Sequence, residues 1–163
     1  MHDLITARWI EGHPPPDLPV TQVYGFCFTP GGRLVLLRDG TEYNLPGGKP
    51  ETGETWLQTL CREAREELQI EVDDVIPFGH RLIEHDQNVT AGRPYAQLRA
   101  VARVVRYLPR AVDPATGRVH ERLAFWPTVA MRRLNWPDDG AAQLAAAVRV
   151  WQSRVSRLPN RST

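Results

Sequence analysis

Two apolar runs, VYGFCFT (23–29) and RLVLLR (33–38), are split by Pro30-Gly31-Gly32. Short apolar runs bounded by turn residues predict a strand, a tight turn and a second strand. EYNLPGG (42–48) reads as a short strand running into a glycine loop. From Thr55 the period changes. Leu57, Leu60, Ala64 and Leu68 recur at three and four residues, with Cys61 at the edge of their stripe, which predicts an amphipathic helix over 55–68. Thr55 and Gln58 have capping-box spacing and place its start. VIPFGHRLIEH (75–85) and the valine-rich YAQLRAVARVVRYL (95–108) predict two longer strands. PRAVDPATGRVH is a polar loop with turn chemistry at Asp113-Pro114 and Thr116-Gly117, and RLAFW a further strand. A last helix is expected from about Asp139 to Arg157, with Leu144, Val148, Trp151 and Val155 as its docking stripe. Strands with two separated helices imply an α/β fold, a mixed sheet covered on both faces. HPPPDLP (13–19) is a stiff connector. The expected organisation is an arm and connector over 1–19 and a single domain over 20–163.

Composition narrows the class. A chain of 163 residues suffices for one domain with a proper core. A formal charge of +1 gives no field that recruits nucleic acid or membrane in general. Cys27 and Cys61 lie in apolar patterns and read as buried thiols, not a disulfide framework. The N-terminus lacks the apolar run of a signal peptide, and no stretch is long enough to span a bilayer, so a cytoplasmic location is expected. The five histidines make no paired-ligand pattern and read as surface or incidental residues.

The predicted helix carries the candidate chemistry. Glu63, Glu66 and Glu67 stand at i, i+3 and i+4, so three carboxylates crowd one arc beside the core-facing side. Like charges at i and i+4 destabilise a helix by a few tenths of a kcal/mol. A solvated acidic face with an Arg62–Glu66 pair is one reading. The other is a divalent-cation site, because hard oxygen ligands on one face suit Mg²⁺ or Mn²⁺. Pro46-Gly47-Gly48 just upstream allows backbone to approach a ligand and to supply amides or a carbonyl. Together they suggest metal-assisted chemistry on a phosphate ester or anhydride.

Gly48, Glu54, Arg62-Glu63, Glu66-Glu67 and Ile70 stand at the spacings of the Nudix box, and the segment Gly48–Ile70 resembles the Nudix hydrolase family, MutT-like members included. Ala64 is small for the aliphatic slot, and Gln69 replaces the usual glycine at the helix exit. The resemblance implies an α/β/α sandwich over about residues 20–157. It implies Glu63, Glu66, Glu67 and the Gly48 carbonyl as ligands of Mg²⁺ or Mn²⁺. It implies Glu54 and Arg62 as the pair that ties loop to helix, and Gly47, Gly48 and Lys49 as a phosphate-side loop. The implied activity is hydrolysis of a nucleoside diphosphate linked to another moiety, by a monomer or homodimer with no nucleic-acid or membrane partner. The alternative is a catalytically silent nucleotide-binding sensor or interaction module on the same fold; the retained carboxylates favour the enzyme. Glu121 is the candidate general base outside the box, with Glu84 and Asp86 behind it. Marks of the ADP-ribose, dinucleotide polyphosphate and NADH subtypes are absent downstream. Trp136-Pro137-Asp138-Asp139 resembles a segment of the oxidised-purine nucleoside triphosphatase branch, which implies Trp136, Asp138 and Asp139 as base-binding residues. The plainer reading makes Asp138 or Asp139 the N-cap of the last helix and Trp136 a core residue.

Overall fold

Strand β2 (Val20–Phe28) sends alternate side chains into two different helical layers, as a two-residue period requires. Phe26 and Phe28 join Leu34, Leu36, Leu144 and Ala147 in one core cluster. Cys27 joins Val35, Leu37, Ala64 and Leu68 in a second, and Val23 packs with Leu60, Leu98 and Ala100 in a third. The computed structural model describes residues 5–85, 92–136 and 138–157. Among these, the strands are β1 (Ile5–Glu11), β2, β3 (Leu34–Asp39), β4 (Glu42–Asn44), β5 (Gly47–Gly48), β6 (Ile70–His85), β7 (Tyr95–Tyr107) and β8 (Glu121–Phe125). The helices are α1 (Trp56–Leu68), α2 (Pro127–Leu134) and α3 (Gly140–Val155).

The eight strands form one mixed sheet in the order β1-β6-β7-β2-β3-β4, with β5 on β2 and β8 on β3. The β2–β7 pair is parallel and the other ladders are antiparallel. Helix α1 covers one face, and α2 and α3 cover the other, so the α/β/α sandwich with a mixed sheet is what the chain adopts. The free edge of β2 is shared. At Phe28 it pairs with Leu34 of β3, and at Val23 and Tyr24 it pairs with Gly48 and Gly47 of β5. That ladder fixes the glycine loop beside the second half of α1, at Glu63 and Glu67.

Several elements differ from the pattern-based expectation. The arm is a strand: β1 pairs with β6 from Ile5–His85 to Glu11–Gly79 and forms an edge of the sheet. Trp9 lies over Gly79, where any Cβ would stand 2.1 Å from the indole, and meets Phe78 edge-on at 5.7 Å. Strand β6 starts at Ile70 rather than Val75; Asp73 and Asp74 hid the start, and an irregularity in register there carries Asp74 at φ 54°. Helix α2 follows β8 where the pattern predicted no helix; Pro127 occupies its first turn, where its missing N–H costs nothing. Leu57 is exposed and Thr59 buried in its stead. On α3 the stripe holds at Leu144 and at Trp151, which stacks on Phe28 at 5.1 Å, but Val155 is exposed.

Candidate active site

Helix α1 starts where the capping box places it. Gln58 N–H donates to Thr55 Oγ1 at 3.2 Å, and Thr55 N–H donates to Gln58 Oε1 at 2.9 Å. It ends at Gln69, which takes the left-handed conformation (φ 49°, ψ 51°) that the family pattern reserves for glycine. The Gln69 amide partly offsets the strain by donating to the Glu66 carbonyl at 2.7 Å. The helix exit thus keeps its geometry without the glycine, and the carboxylates one turn earlier keep theirs.

Arg62 is the hub of the cluster. Its Nε and Nη2 donate to the two oxygens of Glu54 at 2.7 and 3.1 Å, a bidentate pair. Its Nη1 donates to Glu63 at 3.0 Å and to Glu66 at 3.1 Å, and Nη2 also reaches the Lys49 carbonyl at 3.3 Å. Glu54 further accepts from the Glu51 N–H and the Thr59 hydroxyl, both at 2.9 Å. The guanidinium, the backbone donor and the hydroxyl hold the Glu54 carboxyl down at about 2. One arginine therefore locks the loop 49–54 to the helix and draws two of the three expected ligands toward one point.

Glu67 faces inward instead and accepts the Gly47 N–H at 2.9 Å. Burial, with the nearby charge of Glu63, pushes its carboxyl up to about 8. Glu63 is raised as well, by burial. A proton or a cation relieves the repulsion between two such carboxylates. A Cβ on Gly48 would lie 2.2 Å from Glu63 Oε1, so any other residue would push that carboxylate out of its place. Among the described residues no trio of Asp, Glu, His or Cys stands in ligating geometry about one point; Arg62 lies between the glutamates. The donor set still fits a hard divalent cation: all-oxygen, in charge excess, with a glycine cradle beside it.

Beside this cluster a cavity of about 250 Å³ opens, lined by Tyr24, Asn44, Arg81, Arg99, Trp136 and Asp139 among others. Tyr24 joins the two: it pairs with Gly47 on the β2–β5 ladder and lines the cavity with its ring. Asp139 stands at the N-cap position of α3 but makes no capping bond. Its Oδ1 accepts from Gln143 at 2.7 Å and its Oδ2 from Arg81 at 3.3 Å. Arg99 is 4% exposed, and its Nε donates to Gln143 Oε1 at 2.8 Å. Burial lowers the Arg99 guanidinium to about 10, which leaves it charged at neutral pH.

The cluster brings together Glu54, Arg62, Glu63, Glu66, Glu67, Gly47, Gly48 and the Lys49 carbonyl. Trp136 and Asp139 sit in the cavity; Asp138 is exposed at φ 61° and is not among its lining residues. Glu121 opens β8 with its carboxylate on Arg38 at 2.5 Å, held by the β3 ladder rather than by a group of the α1 cluster. Glu84 lies on β6 opposite Thr6, and Asp86 and Pro137 fall outside the described residues. The histidines are not all superficial: His80 and His120 are buried, the latter bonded to buried Asp113 at 2.9 Å. Arg81, Arg99 and Tyr24 escaped the sequence reading. For the two arginines the signal was a charged residue in the middle of an apolar strand, as Arg99 is in LRAVARVV.

The sequence profile described as NUDIX domain matches residues 19–130. No curated protein matches the chain. Among solved structures, a mutant of the Bacillus subtilis pyrophosphohydrolase BsRppH aligns with a TM-score of 0.68 at 16% identity, over 94% of this chain and 98% of that one. A NUDIX hydrolase from Nitrosomonas europaea aligns at 0.58 and 20% identity, over 83% and 90%. A MutT structure from a comparison of the Aliivibrio salmonicida and Vibrio cholerae proteins aligns at 0.51 and 17% identity, over 81% and 98%. At such identities the likeness is one of fold.

Proposed function

The chain belongs to the NUDIX family of phosphoanhydride hydrolases, and we propose that it cleaves a phosphoanhydride of a nucleoside diphosphate derivative with the help of Mg²⁺ or Mn²⁺, a purine nucleoside triphosphate, oxidised purines included, being the foremost substrate. The carrying observation is the Arg62 hub. It gathers Glu54, Glu63 and Glu66 on one guanidinium while Glu67 is anchored on the Gly47 N–H, directly beside a ring-sized cavity. Glu63, Glu66, Glu67 and the Gly48 carbonyl would hold the cation, which supplies Lewis-acid stabilisation of phosphate charge and lowers the pKa of a bound water.

The chain's own groups do the rest. Arg62 and Glu54 orient the ligating carboxylates and hold loop 49–54 against the helix. Glu67, whose carboxyl lies raised near neutrality in the cation-free protein, is placed to exchange a proton in the working pH range. Glu121 is the candidate base from outside the box, at the end of the loop that precedes β8. The Tyr24 and Trp136 rings flank the space beside the cluster and suit the faces of a base. The test is phosphate or pyrophosphate release over a nucleotide panel, with Mg²⁺ and with EDTA. Metal-dependent turnover of a nucleoside diphosphate derivative is expected. Nucleotide binding without turnover of any of them would instead establish a silent binding module.

A further inference from the structure

We propose that Arg99 is the specificity residue of the cavity beside α1, and that it selects a base presenting a ring carbonyl over one presenting an amino group. This rests on the hydrolase reading for the phosphate end of the substrate only. The observation is a buried cation without a carboxylate partner. Among the described residues Arg99 bonds only neutral oxygens: Gln143 Oε1 at 2.8 Å, and the carbonyls of Leu98 and Gln97 at 3.2 and 3.4 Å. No bond from its Nη2 is found among the described residues, and Arg99 lines the cavity. The nearest carboxylate, Asp139, already serves Arg81 and Gln143. Buried charges are normally paired, because desolvation is not otherwise offset. Here the Tyr24 and Trp136 rings, 4.9 and 5.5 Å from the guanidinium carbon, offset part of it. The remaining donor capacity is left for a ligand.

The neighbouring groups point the same way. Arg81 adds a second guanidinium, and Asn44 Oδ1 is taken by the Leu45 N–H at 2.9 Å. Two guanidiniums thus stand on one wall, with the Gln22 and Gln97 amides as further polar groups of the lining. The O6 and N7 edge of a 6-oxopurine accepts from a guanidinium fork. An exocyclic amino group would set N–H against N–H and leave both unpaired in a buried site. A volume of about 250 Å³ suits one ring system better than a whole nucleotide. An anionic group would also answer Arg99, but the aromatic rings and the Asp139 carboxylate favour a neutral ring.

The experiment compares ITP with ATP, which share N7 and differ at the six-position edge, a carbonyl with N1–H in one and an amino group with a bare N1 in the other. We expect kcat/KM to favour the keto member by at least about tenfold. The preference should collapse in Arg99→Met, mainly through KM, while the ligand-free variant unfolds at a higher temperature than wild type. A residue with only a structural role would lower that temperature. Should Arg99→Met fail to fold, Arg99→Lys, which keeps the charge and loses the fork, gives the same comparison. Binding of IMP against AMP in EDTA, read by tryptophan fluorescence, needs no turnover. Absence of turnover with any substrate defeats the hydrolase reading alone, and the IMP–AMP comparison then decides the inference. Equal or inverted preference in wild type, a preference that survives in the Arg99 variants, or tight binding of inorganic tripolyphosphate in competition with IMP overturns it.

Discussion

Glu67→Gln separates two effects that wild-type Glu67 combines. In the folded, cation-free protein its carboxyl is raised from 4.5 to about 8. A raised acid favours the fold fully only below its unfolded value, and that advantage is lost as pH rises through the folded value. Between pH 4.5 and 8 the folded chain holds a proton that the unfolded chain releases. At pH 7 the difference amounts to at most about 3 kcal/mol, and at pH 5 to about 0.8 kcal/mol. Glutamine removes the ionisation, still accepts the Gly47 N–H, and can donate to Glu63. In EDTA at pH 7 the variant should therefore be more stable than wild type by about 2 kcal/mol, or roughly 4–8 °C in Tm for a chain of this length. The gap should narrow toward pH 5. With saturating Mg²⁺ the order should reverse or close, because only the carboxylate gains from the cation. In the same variant kcat should fall by orders of magnitude. Thermal unfolding at pH 5, 6, 7 and 8, with EDTA and with Mg²⁺, reads all of this. A variant less stable than wild type in EDTA, or a gap that ignores pH, would refute the burial argument; near wild-type turnover would refute the ligand role.

Three further outcomes follow from the same geometry. Gly48→Ala puts a methyl 2.2 Å from Glu63 Oε1; the carboxylate can swing aside, so Tm in EDTA should change little, whereas Mn²⁺ affinity should fall by about 10–100-fold in a titration. Glu54→Gln breaks the bidentate lock on Arg62 and should lower kcat. Because Glu54 is held at about 2 against an ordinary 4.5, its stabilising effect is present above pH 4.5 and lost as pH falls toward 2, so Tm curves of variant and wild type should converge over that window. Glu121→Gln should cost at most about 1 kcal/mol of stability, since the Arg38 pair is largely exposed. If Glu121 is the base, kcat falls steeply at nearly constant KM; a kcat close to wild type assigns the base to Glu63.

The local signals in the chain were sufficient for what depends on local order. The three- and four-residue spacing of Leu60, Ala64 and Leu68 made α1, Thr55 and Gln58 set its start, and the same period put Glu63, Glu66 and Glu67 on one arc. Box spacing marked Glu54 and Arg62 as a pair, and the side chains meet at 2.7 Å. Period alone could not show that Glu67 turns inward while Glu66 goes to Arg62, because the difference comes from β5 docking on β2 and presenting the Gly47 N–H. Nor could it separate the two aspartates before α3. Asp138 is exposed, and Asp139 enters the cavity only because β6 brings Arg81 and α3 brings Gln143 to it. The cavity was beyond reach for the same reason. Tyr24, Arg81, Arg99 and Trp136 come from β2, β6, β7 and the turn before α3, and only the parallel β2–β7 pairing and the α3 crossing set them side by side. A residue's neighbours along the chain determine its face; the neighbours it meets across that face belong to the tertiary structure.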